Sequence, residues 1–298
     1  MPAKQMRILI FGAGVIGSAY AIKFIEAGID VTLFARANRF KTLKENGLRY
    51  NEKGVENSIT VNVIDTLEND DIYDFIFVTV RYDQAESALL ALKDNQSKNI
   101  VTMTNASVGF SAWIDIVGDR LLPAFPGVGG QIKNGVLYAR FPPKALHSAM
   151  FGEINGLPTD RIEHLAKLFK SANLAYTINK DMNSYLITHS VSDIALLSAL
   201  YSERKGTDET KKTAQKITST LKAYLRAIQK AGIAINPPSF KMALICPNMI
   251  MNSFFAKWLR SEMVQDMLLP DYANNAKSEV AQLNSDLLGF LSQNGITP

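Results

Sequence analysis

Six residues near the amino terminus form the pattern GxGxxG, which suits a phosphate-binding turn. The first glycine of such a pattern permits a tight turn, the second lets a phosphate approach the backbone, and the third lets a helix pack closely on a strand. The amino terminus of the following helix then stabilises the negative charge. Because the pattern here follows a strand pattern and opens a helix pattern, it predicts a dinucleotide site. The residues are Gly12, Ala13, Gly14, Val15, Ile16 and Gly17.

The residue that closes the second predicted strand selects between the two nicotinamide dinucleotides. NAD enzymes have an Asp or Glu there for the ribose hydroxyls, whereas a guanidinium fits the 2′-phosphate of NADP. This chain has Arg36 at that position, with Arg39 and Lys41 close behind, and Asp30 lies at the wrong end of the strand. We therefore predict NADP as the cofactor, bound through Arg36. The alternative is that Arg36 is a plain surface charge.

The elements that would position these residues alternate between strand and helix. Short apolar runs are typical of buried parallel strands, and apolar residues at helical spacing separate them. Such alternation predicts a parallel, doubly wound sheet of the Rossmann type. The predicted strands are residues 6–11, 31–34, 75–80 and 100–103, and the predicted helices are residues 15–27 and 83–92.

The middle of the chain is less regular. Pro123, Pro126 and the glycines up to Gly130 indicate a loop. Residues 136–140 and 147–151 are predicted to be strands added at the edge of the sheet. A helix over 160–171 and a strand over 176–178 close this domain.

After about residue 179 only helical patterns remain. Helices are predicted over 184–202, over 208–231, from Asn236 onward, and over 278–291. The chain is thus predicted to be an α/β Rossmann-type domain over residues 1–179, followed by an all-helical domain over 180–298 for substrate binding and dimerisation.

Composition limits the kinds of partner. The 298 residues carry a net charge of +4, without the dense basic stripe of a nucleic-acid groove. The lysines of the 208–231 helix are interpreted as a solvated face, and the methionines from Met242 to Met263 as core packing. These lysines are Lys211, Lys212, Lys216 and Lys222.

The same composition indicates a cytoplasmic protein. Cys246 is the only cysteine, so no internal disulfide forms. No apolar run reaches the roughly 18 residues of a membrane span, and no signal-peptide pattern opens the sequence. Metal-site patterns such as HExxH and CxxC are absent, so no metal is expected.

The whole chain resembles the ketopantoate reductase (2-dehydropantoate 2-reductase) family, and the first half does so more closely. The resemblance rests on motifs in the family's order, including a weaker likeness at Phe151-Gly152-Glu153. The others are ILIFGAGVIGSAYA, VTLFARANRFKTLKENGL, VTVRYDQAESAL, TNASVG, SEMVQD from Ser261, and SEVAQLNSDLLGFLSQNGI from Ser278.

The resemblance implies an NADPH-dependent reduction of a 2-oxo acid, ketopantoate to pantoate in pantothenate biosynthesis, and a homodimer. A protein group would protonate the alkoxide that hydride transfer leaves at C2. By motif position, Arg81 stands where the family has a basic residue near the cofactor phosphate. Asn105 stands at its asparagine beside the nicotinamide and substrate, and Glu279 at its acidic residue that contacts substrate.

The sequence departs from the family at the proton donor. Family members have a W-x-K-L-x-x-N run whose lysine donates the proton. Tyr185 is the counterpart of the tryptophan here, which puts Ile187 at the lysine; other registers put Tyr185 or His189 there, and none yields a lysine. Glu262 also replaces a serine of the SSM run.

His189 is the candidate for the missing acid. It precedes Asp193 by one helical turn, so the carboxylate would orient the imidazole. A histidine that titrates near neutrality is a competent general acid for carbonyl reduction. The alternative is a histidine at a helix surface or domain interface beside an incidental carboxylate. Three functions stay open: reduction of ketopantoate, reduction of another 2-oxo acid, and non-catalytic NADP binding by a redox or metabolite sensor.

Overall fold

The computed structural model describes residues 5–142, 148–202, 207–261 and 277–298. Within these ranges, twelve strands form two sheets. The larger sheet contains β1 (Arg7–Phe11), β2 (Asp30–Phe34), β5 (Asn62–Ile64), β6 (Phe75–Val78), β7 (Ile100–Met103), β8 (Leu121–Phe125), β11 (Ala149–Phe151) and β12 (Tyr176–Ile178). The smaller contains β3 (Leu48–Glu52), β4 (Val55–Ile59), β9 (Gly129–Lys133) and β10 (Val136–Arg140).

The larger sheet has the strand order β12-β11-β8-β7-β6-β1-β2-β5. Neighbouring strands from β5 to β8 pair in parallel, whereas β11 is antiparallel to β8 and parallel to β12. Helices lie between β1 and β2, between β6 and β7 and between β7 and β8, as parallel pairing requires. The predicted Rossmann-type fold is therefore confirmed. The helices of this part are α1 (Val15–Glu26), α2 (Ala37–Asn46), α3 (Tyr82–Ala91), α4 (Ser111–Val117) and α5 (Asp160–Ser171).

An aromatic cluster fixes α1 and α5 on the sheet. Tyr20 and Phe24 of α1 pack on Phe77 of β6 and on Phe169 of α5, with ring centroids 5.3–6.5 Å apart. These side chains are at most 1% exposed, and each contributes roughly 1.5–3 kcal/mol by leaving water. This packing holds the first turn of α1 in place beside β1.

Two interpretations of the middle segment are wrong. Pro123 lies inside β8, because its missing N–H is not needed there and its carbonyl still accepts from the Gly152 amide at 3.3 Å. Strand β10 pairs with β9 and β3 in the smaller sheet, so it is not added to the edge of the large one. Strand β11 lies between β8 and β12, one strand inside the edge, and His147 lies outside the described residues.

The chain divides into two compact units. One consists of Met1–Thr104 with Phe110–Met182, and the other of Asn105–Gly109 with Asn183–Pro298. As a functional domain boundary, the predicted division between residues 179 and 180 stays a prediction. Within the described ranges, no helix combines the length and apolar character that a membrane crossing requires. The helices that follow α5 are α6 (Met182–Ser202), α7 (Thr207–Lys230), α8 (Phe240–Ile245), α9 (Asn248–Leu259) and α10 (Lys277–Gln293).

Two further interpretations are wrong in part in the helical unit. Lys211, Lys212 and Lys216 are exposed as expected, but Lys222 is 6% exposed, and its Nζ donates to Cys246 O at 2.5 Å and Asn248 Oδ1 at 2.7 Å. These acceptors replace the water that the ammonium gives up. Met242 and Met249 are 61% and 77% exposed, so they do not pack in the core, whereas Met251 is 8% exposed and does. Met263 lies outside the described residues.

Candidate dinucleotide site and catalytic residues

In the loop between β1 and α1, the three glycines differ in what a side chain at each position would meet. Gly12 has φ +118°, and a Cβ there would lie 3.0 Å from Val80 Cγ1. A Cβ on Gly17 would lie 2.0 Å from the carbonyl oxygen of Gly12, so only glycine lets α1 approach the turn. A Cβ on Gly14 would meet nothing within 4 Å. The protein itself therefore does not require glycine at position 14, and the space beside it is open to a ligand.

The loop carbonyls point toward the protein. Gly12 O accepts from Thr79 Oγ1 at 2.7 Å, and Ala13 O accepts from Ser18 Oγ at 3.3 Å. Gly14 O accepts from the Ser18 amide at 2.9 Å. No side chain in the described residues caps the amino terminus of α1. Its first amides and the positive end of the helix dipole thus fit a phosphate group.

The two arginines predicted to bind phosphate differ in their surroundings. Arg36 follows β2 directly, at the N-cap position of α2, and is exposed. Arg81 is the N-cap residue of α3 and forms a bidentate pair with Asp83, with Nε–Oδ1 at 3.0 Å. A phosphate at Arg81 would have to share the guanidinium with this carboxylate. Arg36 therefore fits an incoming 2′-phosphate better.

In the second unit, Asn105 and His189 are brought together by one carboxylate. Asn105 Nδ2 donates to Asp193 Oδ2 at 2.7 Å. The same oxygen lies 3.5 Å from His189 Nδ1, an ion-pair distance longer than a normal hydrogen bond. Among the described residues, the buried Oδ1 of Asn105 has no hydrogen-bond partner. Asp193 thus orients both side chains, and the amide oxygen is left to accept from a ligand.

Tyr185 packs beside this cluster. Its ring centroid lies 5.9 Å from that of His189, and the side chain is buried. Burial, and secondarily the charge of Asp193, raise the pKa of the Tyr185 phenol. A phenol with a raised pKa is a poorer proton donor at neutral pH. Tyr185 is therefore better suited to packing against the imidazole than to acid catalysis.

The other residues predicted around the substrate are less informative. Ile187, at the position of the family's lysine, is 2% exposed and α6 contains no lysine. Glu279 lies in the first turn of α10 and is half-buried; its role stays a prediction. Glu262 lies outside the described residues. In the described ranges, no group of His, Cys, Asp and Glu side chains is arranged to hold a metal ion.

Sequence reasoning missed two contacts. Thr79 supports the turn at Gly12, and the only signal was its place two residues before Arg81 in a family motif. The bond from Asn105 to Asp193 joins residues 88 positions apart. No spacing rule relates residues at such a separation, so only the fold reveals the pair.

Together the sheet and the glycine loop define a Rossmann-type fold with a helical second unit. Residues 8–112 match the family described as ketopantoate reductase PanE/ApbA. This match confirms the family resemblance over residues 8–112, and members of that family are oxidoreductases acting on CH–OH groups.

Two curated relatives differ in what they act on. A 2-dehydropantoate 2-reductase of Mesorhizobium japonicum is 31% identical over 144 residues, covering 47% of this chain and 40% of that protein. The chain therefore matches less than half the length of this relative. A glycerol-3-phosphate dehydrogenase [NAD(P)+] of Orientia tsutsugamushi is 25% identical over 91% of this chain and 81% of that protein.

Solved structures share the fold over nearly the whole chain. D-mandelate dehydrogenase with NADH and anilino(oxo)acetate has a TM-score of 0.75 at 16% identity, covering 98% of this chain and 94% of that one. A dimeric ketopantoate reductase of Staphylococcus aureus has a TM-score of 0.68 at 12% identity, covering 98% and 93%. At these identities the likeness concerns the fold.

Proposed function

We propose that this protein is an NADPH-dependent reductase that converts a 2-oxo acid to a 2-hydroxy acid, with ketopantoate or a close analogue as substrate. The observation that carries the proposal is the cluster of Asn105, Asp193 and His189, in a chain whose residues 8–112 match the ketopantoate reductase family. The cluster offers a proton donor and a hydrogen-bond acceptor, which carbonyl reduction needs.

The loop residues would hold the dinucleotide. The amides that open α1 bind the pyrophosphate, and the open space at Gly14 lets it approach the backbone. Arg36 binds the 2′-phosphate, so the protein prefers NADPH to NADH. Arg81 makes a secondary phosphate contact beside Asp83. NADPH, when bound, supplies the hydride.

The cluster would supply the proton. Because His189 Nδ1 faces Asp193, the Nε2–H of the imidazolium is the bond that gives its proton to the alkoxide oxygen at C2. Asp193 stabilises the imidazolium before that transfer. Asn105 Oδ1 accepts from an N–H of the nicotinamide amide or an O–H of the substrate, and Glu279 contacts the substrate.

The test is steady-state oxidation of NADPH with a panel of 2-oxo acids, including ketopantoate and an aryl 2-oxo acid. Glycerol 3-phosphate with NADP+ is assayed in parallel, because one relative is a dehydrogenase of that compound. We expect turnover with at least one branched 2-oxo acid and a preference for NADPH over NADH. Turnover of glycerol 3-phosphate alone would contradict the proposed substrate class.

A second candidate is a non-catalytic protein that binds NADP and senses redox state or a metabolite. Buried Ile187 at the position of the family's lysine favours it. This function predicts tight NADPH binding without oxidation by any acid of the panel. Calorimetric titration beside the activity assay separates the two functions.

We further propose that the protein forms a homodimer through α8 and α9. Ile245 and Phe254 are 74% and 61% exposed, and Met242 and Met249 on the same two helices are 61% and 77% exposed. Apolar surface of this kind marks contact sites, and one solved relative is dimeric. Sedimentation should give twice the chain mass, and Phe254→Asp should shift the protein toward monomer.

A further inference from the structure

The guanidinium of Arg39 is bonded to the glycine loop itself. Its Nε donates to Ala13 O at 3.0 Å, and Nη2 donates to Ser18 Oγ at 3.2 Å. Ser18 Oγ in turn donates to the same carbonyl oxygen at 3.3 Å and is fully buried. One side chain of α2 thus ties together the turn and the first turns of α1.

This contact fixes the direction of an amide that a phosphate would use. The Ala13 carbonyl and the Gly14 N–H belong to one planar, trans peptide unit, so they point in opposite directions. Holding Ala13 O toward Arg39 therefore turns the Gly14 N–H away from it. Thr79 does the same one residue earlier, since its bond to Gly12 O sets the direction of the Ala13 N–H.

The surroundings of Arg39 differ from those of Arg36. Arg39 is partly buried, and burial lowers the pKa of its guanidinium. No carboxylate in the described residues forms an ion pair with it. The hydrogen bonds to Ala13 O and Ser18 Oγ therefore replace the water that the guanidinium gives up, and they hold it beside the loop. Arg36 is exposed, and among the described residues no side-chain hydrogen bond or ion pair joins it to the loop.

We propose that Arg39 is a positioning residue that preorganises the glycine loop for the pyrophosphate, which both NADPH and NADH carry. The inference rests on the proposed function, because it concerns the same dinucleotide site. Arg36 selects the 2′-phosphate, whereas Arg39 sets the loop amides. The two arginines therefore have separable effects on the two cofactors.

The experiment measures dissociation constants of NADPH and NADH by calorimetry on the full chain, together with the thermal midpoint. Arg39→Ala should weaken both cofactors by the same factor, roughly tenfold, the size of one charge-assisted hydrogen bond. Ser18→Ala should weaken both by a smaller factor. Arg36→Ala should weaken NADPH and leave NADH unchanged.

Two further variants separate geometry from charge. Arg39→Lys keeps the charge but cannot span both acceptors, so it should bind both cofactors less tightly than the unmutated protein. Lys44→Ala removes one exposed charge from the same helix, where its ammonium lies 5.5 Å from the Phe40 ring centroid, and should bind normally.

Each other outcome overturns the proposal. Loss of NADPH affinity alone in Arg39→Ala would make Arg39 a ligand of the 2′-phosphate. If Arg39→Lys binds both cofactors as tightly as the unmutated protein, Arg39 acts only through its charge. If Arg39→Ala keeps both affinities but has a lower thermal midpoint, Arg39 has only a structural role. If the unmutated protein binds neither cofactor, it is the proposed function that fails.

Discussion

The glycine loop and the His189 cluster reach their geometry by different routes. The loop is built from consecutive residues, with Arg39 and Thr79 holding its carbonyls from α2 and from the end of β6. The cluster depends on a hydrogen bond from Asn105 to Asp193, which lies on α6 and is 88 residues further along the chain. The positions of the glycines therefore follow from local sequence, although residues 26 and 67 positions away hold the loop carbonyls. The whole cluster, in contrast, depends on how distant segments pack.

This difference separates what variants in the two regions should do. The loop contacts are predicted to affect cofactor affinity and not the turnover of bound enzyme. The cluster is predicted to affect turnover and not cofactor affinity. The experiments below test that division.

The largest effect is expected at Gly14. In Gly14→Val the side chain fills the open space beside the loop, so NADPH affinity should fall roughly a thousandfold while the fold is kept. Calorimetric titration measures the affinity, and circular dichroism checks the fold. Gly289→Val is the matched control, because a Cβ there also meets nothing within 4 Å. Normal NADPH binding by Gly14→Val would exclude the loop from the site.

Arg36→Asp should have the next largest effect. Replacing a guanidinium by a carboxylate removes a charge-assisted contact to the 2′-phosphate and adds repulsion. NADPH affinity should fall roughly a hundredfold, and NADH affinity should be unchanged or improved. Arg226→Asp makes the same charge change on the exposed face of α7 and should bind both cofactors normally. Equal binding of NADH and NADPH by the unmutated protein would contradict the assignment.

In the second region, His189→Ala should lower kcat roughly tenfold or more, because the alkoxide loses its proton donor. Affinity for NADPH should stay the same. His164→Ala is the control, since this exposed histidine lies on α5. An unchanged kcat in His189→Ala would remove His189 from the mechanism.

A smaller effect on stability is expected at Glu153, which is 5% exposed and accepts from Arg161 Nε at 2.7 Å and from Thr159. Burial alone would raise the pKa of Glu153, but the hydrogen bonds of Arg161 and Thr159 outweigh it and hold the pKa below the usual value of 4.5. The folded state therefore gains stability above that value and loses it as the pH falls through the lowered pKa.

Glu153→Gln should lower the free energy of unfolding by about 1 kcal/mol at neutral pH, because the amide keeps only neutral hydrogen bonds. Urea denaturation at neutral pH and at pH values below the usual carboxyl range measures the difference. The gap between variant and unmutated protein should shrink in acid. Glu163→Gln, an exposed residue of α5, is the control. A gap that stays constant with pH would contradict the assigned ion pair.

Sequence predicted the large sheet because its strands are apolar runs beside glycine turns. It missed β3 and β4 because their residues, LRYNE and VENSI, are mostly polar and half exposed. Pro123 was predicted to lie in a loop because proline usually indicates a turn. Strand β8 tolerates it at a position where no backbone N–H donor is needed. Lys222 was predicted to be solvated because helical spacing does not show which lysine donates hydrogen bonds to a neighbouring segment.

At the candidate site the same distinction holds. The roles of Gly12 and Gly17 follow from the spacing of the motif, and their backbone geometry requires glycine. The pairing of His189 with Asp193 follows from helical spacing. The bond from Asn105 to the same carboxylate does not follow from any spacing, because it depends on how the loop after β7 packs on α6.

The central claim is that this chain transfers hydride from NADPH to the C2 carbonyl of a 2-oxo acid. The most direct measurement uses NADPH deuterated at the transferred position, with ketopantoate or the best acid of the panel, and mass spectrometry of the product. We predict a 2-hydroxy acid that carries one deuterium at C2, formed slowly by His189→Ala. Tight binding of NADPH with no deuterated hydroxy acid would contradict the claim.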